Sequence, residues 1–412
     1  MIQEQWVKLS SADGSTFDAF LTVPEEGTGP GIVMLQEIFG VNEAMRATAR
    51  LFAEEGYTVL VPDLFWRMER RVELGYDEKD ATRAIDFYNR LDQDMAIKDI
   101  GATLAALRSR PECDGQAAVL GFCLGGTLAM LAGAELAPDA VISLYPVGIQ
   151  DLPDELVTPA CPTQIHLGGA DPMCPPEAAD RIRARYAGNK WVKIHSYEEA
   201  GHAFFNPYRE EHDRLASESA LTHILEMIRP QMGPDYDLSE AWERHAFYEF
   251  GLRDADKTIE TMVDVPYVNH VPVMTGGTGR SELHHFYKNY FVDVHPDDYK
   301  AISVSRTVGA NRLVDEMLIS FTHDRLMDYV LPGIPATGRK ITIAACGVIT
   351  FRGNKLRHEH IYYDSASILV QAGILDPAEY PVTGSEQAQK VIDPHGVPSN
   401  ELMTTWTPAK QA

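Results

Sequence analysis

The stretch Gly121-Phe-Cys-Leu-Gly-Gly126 decides how this chain is read. Just before it, residues 117–120 form an apolar run with the length of a buried strand, and residues 127–137, rich in Ala, Leu and Met, have the pattern of a helix. Glycines at 121, 125 and 126 leave room for the tight turn between them. Cys123 therefore sits where a strand turns sharply into a helix. Backbone N–H groups at a helix N-terminus favour negative charge, both on a sulfur and on the oxygen of a carbonyl under attack. The spacing predicts a nucleophilic thiol; the alternative is an inert, buried cysteine in a Gly-rich turn.

Outward from this turn, the chain between residues 31 and 229 alternates short apolar runs with helical patterns. Strands are expected at 32–36, 58–62, 117–120, 141–145, 164–168 and 191–197, and helices at 43–55, 78–90, 97–108, 124–137, 177–186 and 213–228. That alternation predicts an α/β domain, a mostly parallel sheet with helices on both faces. A thiol nucleophile needs a base, and the base needs a group to orient it. Asp171, in Gly168-Gly-Ala-Asp-Pro172, follows one expected strand, and His202, in Ala200-Gly-His-Ala-Phe204, follows the next. Cys123, Asp171 and His202 thus occur in the nucleophile, acid, base order of α/β-hydrolases. Taken singly, Asp171 could be a helix cap and His202 a bonded loop imidazole. Glu37 ends the apolar run that begins at Gly31, where a bare carboxylate is costly to bury, so a partner is expected: either the site itself or a nearby arginine. The loop after that early strand also makes the Ile38 N–H a companion to the Leu124 N–H as oxyanion donors.

With Gln36-Glu-Ile-Phe-Gly-Val-Asn42 and Pro62-Asp-Leu64, these motifs over residues 1 to about 230 resemble the dienelactone hydrolase family. The resemblance implies that Cys123, Asp171 and His202 form a triad, and that a glutamate at the position of Glu37 touches the resting thiol and helps to activate it. It implies carboxymethylenebutenolidase-type chemistry on a small-molecule lactone or ester: thiolate attack, a thioester, and hydrolysis by water activated at His202. One departure stands out. The family places an arginine shortly after the histidine to hold a substrate carboxylate, whereas Phe205 and Asn206 follow here and Arg209 comes later. Arg83 matches the family's other substrate-binding arginine, or is a solvated helix charge.

Residues 231–238, with prolines at 230 and 234 and Gly233, predict a linker, and an α+β domain is expected over 239–376. It should hold helices at 239–250, 255–262 and 281–291, a short strand at 267–271, and two hairpins, 299–308 with 312–323 and 340–351 with 355–363. With the helix at 365–374, this part resembles the SnoaL-like polyketide cyclases, which share the cone-shaped barrel fold of nuclear transport factor 2. The resemblance implies a pocket. Alternation along the last strand puts His358, His360, Tyr362 and Asp364 on one face, taken as the pocket face, with His270 opposite. Three uses are open: a metal held by the His358 and His360 pair, an acid–base pair of Asp364 with His360 or His270, or satisfied polar groups in a binding or homodimerisation module. No metal and no cofactor are expected. Residues 377–412 should wrap loosely over the surface.

Composition narrows the partners. A formal net charge of −24 over 412 residues repels nucleic acid and anionic membranes. Five scattered cysteines form neither a disulfide framework nor a CxxC pair, and no signal-like or membrane-spanning run occurs, so a soluble cytoplasmic protein is expected. The rival to a hydrolase is a non-enzymatic binding protein that uses the second pocket and carries a vestigial triad.

Overall fold

The apolar runs of the N-terminal half become neighbours in a single eight-stranded sheet. Its strands are β1 (Gln3–Ser10), β2 (Thr16–Val23), β3 (Gly29–Leu35), β4 (Thr58–Pro62), β5 (Cys113–Phe122), β6 (Val141–Leu144), β7 (Thr163–Gly168) and β8 (Val192–Tyr197). They lie in the order β1-β2-β4-β3-β5-β6-β7-β8. From β4 onward all neighbours are parallel, while β1 and β2 form an antiparallel hairpin at one edge. β3, β4 and β6 are buried at every residue, which is why they read as continuous apolar runs rather than alternating ones. The helices are α1 (Glu43–Glu54), α2 (Glu78–Arg90), α3 (Gln93–Arg108), α4 (Leu124–Glu135), α5 (Pro176–Tyr186) and α6 (Arg214–Met232). Asn42, Asp77, Asp92 and Asp213 cap four of them with side-chain oxygens, fixing where each begins.

This computed structural model describes residues 2–407, and the chain divides into two compact units between Asp235 and Tyr236. The expected linker changes at both ends. α6 runs through Pro230 to Met232 instead of stopping at residue 228, because a proline this near the helix end forfeits little of the helix beyond it. The next helix starts at Leu238, so only residues 233–237 lie outside helices.

In the second unit, helices α7 (Leu238–Ala246), α8 (Ala255–Glu260), α9 (Arg280–Phe286), α10 (Ser365–Ala372) and α11 (Glu386–Ile392) accompany strands β9 (Met262–His270), β10 (Thr275–Thr278), β11 (Lys300–Val308), β12 (Arg312–Thr322), β13 (Lys340–Arg352) and β14 (Lys355–Tyr363). The six strands form a second sheet, β10-β9-β14-β13-β12-β11. The two expected hairpins pair as β11 with β12 and β13 with β14, and only β14 with β9 is parallel. α7 and α9 each pass into a π-helical turn, at Phe247–Leu252 and Tyr287–Phe291. Trp242, Phe286, Phe321, Phe351 and Ile368 anchor its core. The tail is better ordered than expected: α11 buries Ala388, and Gln387 Oε1 accepts a hydrogen bond from the Ala344 N–H of β13.

Candidate active site

Consecutive strands of the first sheet deliver the candidate side chains to one edge. In the sheet order β3, β5, β6, β7, β8, the residues just past the carboxyl ends include Glu37, Cys123, Tyr145, Asp171 and His202. This is the edge where parallel α/β sheets place their chemistry. Cys123 holds φ 54° and ψ −113°, a left-handed conformation that costs a non-glycine residue energy and turns its side chain out of the strand. Tyr145 (φ 37°) and Ala203 (φ 63°) are strained in the same sense, so three of the backbone outliers gather at these strand ends. The turn is held by the Cys123 N–H bonding Leu144 O at 3.0 Å and the Gly125 N–H bonding Gln36 O at 3.1 Å. At Gly125 even a methyl group would lie 2.3 Å from Leu35 O.

His202 lies between the other two members of the set. Its Nδ1 is 2.8 Å from Asp171 Oδ2, and the Asp171 Oδ1 accepts the Met173 N–H at 2.7 Å, so both carboxylate oxygens are fixed. The Cys123 thiol is near enough to the imidazole to raise its pKa. Burial alone would depress its pKa, but the bonds and charges of Asp171 and Cys123 outweigh that and lift it to about 10. A base with a thiol nearby and a buried carboxylate bonded to its other side can accept the thiol proton and keep its orientation while charged. The Gln36–Gly125 bond brings the loop of Ile38 beside Leu124, and among the described residues neither of these two N–H groups is taken up by a hydrogen bond.

Glu37 behaves differently from what the family resemblance implies. Its carboxylate is 2% exposed and accepts from Tyr145 OH at 3.2 Å and from Asn206 Nδ2 at 3.1 Å, and among the described residues it makes no hydrogen bond with the Cys123 thiol. Burial pushes its carboxyl above the ordinary range, with the charges of Arg209 and His202 and the two hydrogen bonds opposing. Asn206 Nδ2 also bonds Tyr76 OH at 2.9 Å, and Tyr76 in turn accepts from Asn42 Nδ2 at 3.1 Å. Sequence reasoning missed Tyr145, Asn206 and Tyr76. Tyr145 had a signal, as the polar end of an apolar strand, and Asn206 had one in displacing the expected arginine. Arg209 lies over the rings of Phe39 and Tyr76 and pairs with Glu211. Arg83 pairs with Glu69 on the surface, and no contact joins it to the triad among the described residues.

Comparison with known proteins matches residues 17–232 to the model of the dienelactone hydrolase family. The chain belongs to that family. A carboxymethylenebutenolidase from Pseudomonas putida is 31% identical over 225 residues, covering 54% of this chain and 95% of that protein. Another from Pseudomonas sp. strain P51 is 32% identical over 224 residues, covering 54% and 94%. As a member of the dienelactone hydrolase family, this protein is a hydrolase.

The second unit corrects one expectation. Its buried cavity, about 60 Å³, is lined by His270 as expected, but on β14 it meets Glu359, Ile361 and Tyr363 rather than His360, Tyr362 and Asp364. His358 and His360 stack on each other on the opposite face with Tyr267. Tyr362 is exposed, and Asp364 caps α10. The alternation from residue 358 onward holds but the cavity lies on the other face; a bulge precedes it, with Phe351 pairing with Leu356 but Thr350 with His358.

Proposed function

We propose that the N-terminal unit cleaves a lactone or carboxylic ester of the dienelactone type, with Cys123 as nucleophile, His202 as base, Asp171 as its orienting acid and a thioester intermediate. The observation that carries this reading is the His202 imidazole, hydrogen-bonded to the buried Asp171 carboxylate and with the Cys123 thiol near enough to raise its pKa. The thiolate attacks the carbonyl while the Leu124 and Ile38 N–H groups bind the oxyanion. The leaving oxygen departs, as an enolate in an enol lactone, and takes up the proton that His202 accepted from the thiol; the neutral imidazole then activates the water that hydrolyses the thioester. The charge of Glu37, when ionised, favours positive charge at His202. Arg209 is the cation available to an acidic substrate group, in competition with Glu211, and Arg83 is the more distant candidate. The second unit, read as a SnoaL-like domain, supplies a separate small apolar pocket. A reducing, cytoplasmic setting suits five free thiols.

The test is hydrolysis of a panel of dienelactones, aryl esters and simple lactones by the intact protein and by Cys123→Ala. Turnover lost with the thiol supports the mechanism and ranks the substrates. Turnover that survives Cys123→Ala refutes it, and folded protein inactive on the whole panel favours the binding-protein reading.

A further inference from the structure

Two glutamates and a histidine meet inside the second unit, and the hydrolase mechanism uses none of them. His245 lies on α7, Glu249 on the π-helical turn that prolongs it, and Glu359 on β14. They are 0%, 2% and 3% exposed. His245 Nε2 lies 3.2 Å from Glu249 Oε1 and 3.0 Å from Glu359 Oε1, and the candidate ligand atoms of the three residues all lie within 4.8 Å of one another.

We infer that His245, Glu249 and Glu359 form a site for one divalent transition-metal ion that opens onto the apolar cavity of the second unit. Charge is the first argument. Two buried carboxylates cannot stay ionised without compensation, and among the described residues the ion pairs of both are with His245, not with Lys or Arg. A divalent cation neutralises the pair.

Geometry is the second. Nitrogen and oxygen ligands stand about 2.0–2.2 Å from such an ion, so adjacent ligand atoms are separated by roughly 3.0–3.5 Å. Both separations from His245 Nε2 fall in that range.

The tautomer is the third. The Thr261 hydroxyl donates to Thr258 O at 2.6 Å, so its oxygen must accept from His245 Nδ1, also at 2.6 Å. Nε2 is left facing the carboxylates, and the Nδ1–H bond is the outer support usual for a metal-bound imidazole. Tyr287 OH supports Glu359 in the same way, donating to Oε1 at 3.2 Å.

The cavity is the fourth and is independent of the cluster. Glu249, Tyr287 and Glu359 form its polar wall against Phe250, Phe291 and other apolar side chains. Three protein ligands, two of which, Glu249 and Glu359, line a space large enough for water or a small ligand, have the form of a site with an open coordination position. One imidazole and two carboxylates suit Mn²⁺, Fe²⁺, Co²⁺ or Zn²⁺ and not soft Cu⁺.

The test uses the full-length protein as Cys123→Ser, which removes the reactive thiol as a competing ligand. After chelator treatment, equilibrium dialysis against Mn²⁺, Co²⁺ and Zn²⁺ with elemental analysis should return one ion per chain with Kd of about 10 μM or tighter. Glu249→Gln and Glu359→Gln, close in shape to the parent, should weaken binding by about 100-fold. X-ray absorption of the Co²⁺ form should show nitrogen and oxygen ligands without sulfur, a readout that needs no variant to fold. Absence of binding to folded protein at about 100 μM of each ion overturns the inference and leaves a cluster neutralised by protons. Binding that survives both substitutions, or sulfur in the coordination shell, overturns it as well.

Discussion

Replacing Glu37 by glutamine separates a carboxylate kept for chemistry from one kept for folding. The side chain is buried, and its two hydrogen-bond donors, Tyr145 and Asn206, are neutral. The positive groups Arg209 and His202 oppose the burial only in part, so the carboxyl stays above its ordinary value of 4.5. Each unit of upward shift costs about 1.4 kcal/mol of folded stability once the group ionises. Glutamine keeps the shape and one accepting oxygen but turns an NH₂ toward one of the donors, a loss of about 1 kcal/mol. We expect the ionisation cost to dominate at pH 8, so the variant should have the higher Tm there. The sign follows from the linkage. A folded pKa above the unfolded one leaves stability intact below pH 4.5 and removes it as pH rises through the folded value. The two proteins should therefore melt together near pH 4 and diverge toward pH 8. Hydrolysis should fall by about 10–100-fold, because the charge that favours a protonated His202 is gone. The assay is paired melts at both pH values with kcat/KM on one ester. A variant destabilised by more than about 2 kcal/mol at pH 8 with unchanged kcat/KM would refute the reasoning and make Glu37 structural.

Iodoacetamide at pH 8 should label Cys123 first, since burial pushes the Cys113, Cys161, Cys174 and Cys346 thiols up while Cys123 lies near the His202 base; peptide mapping with equal labelling of all five would contradict the poised thiol. Gly125→Ala should cost more than about 3 kcal/mol, because its Cβ would meet two backbone carbonyls, Leu35 O at 2.3 Å and Gln36 O at 2.6 Å. A denaturant midpoint close to that of the parent would show that the turn can relax. Acid should weaken the N-terminal unit through the stacked histidines 166, 195 and 223, which burial keeps neutral, His195 down to about pH 4. The unfolded chain takes up these protons near pH 6.5, so stability is full above that and falls from pH 6.5 toward 4, by up to about 1.4 kcal/mol per pH unit for each fully buried ring. Denaturation at pH 7 and pH 5 should show a smaller difference in His195→Gln than in the parent.

Local signals carried much of this protein. The parallel sheet was legible because its central strands are buried on both faces and stay apolar throughout, and the turn at Cys123 because small residues must stand where backbones touch. The candidate residues Cys123, Asp171 and His202 could be singled out because each follows its own strand. The β1–β2 hairpin went unread although Asp13-Gly14 marks its turn, since half-exposed edge strands such as β1 lack a continuous apolar run. Tertiary structure decided the rest. Glu37 meets donors 108 and 169 residues away, so no spacing in the sequence could say whether it faces the thiol or a polar network behind it. On β14 period-two counting grouped the residues correctly, but which of the two faces meets the cavity is set by the packing of the sheet and leaves no mark in the count. The grouping of His245, Glu249 and Glu359 has the same origin. The first two are neighbours on one helix, but the third joins them only when the sheet folds against it, because a shared site depends on distance in space and not along the chain.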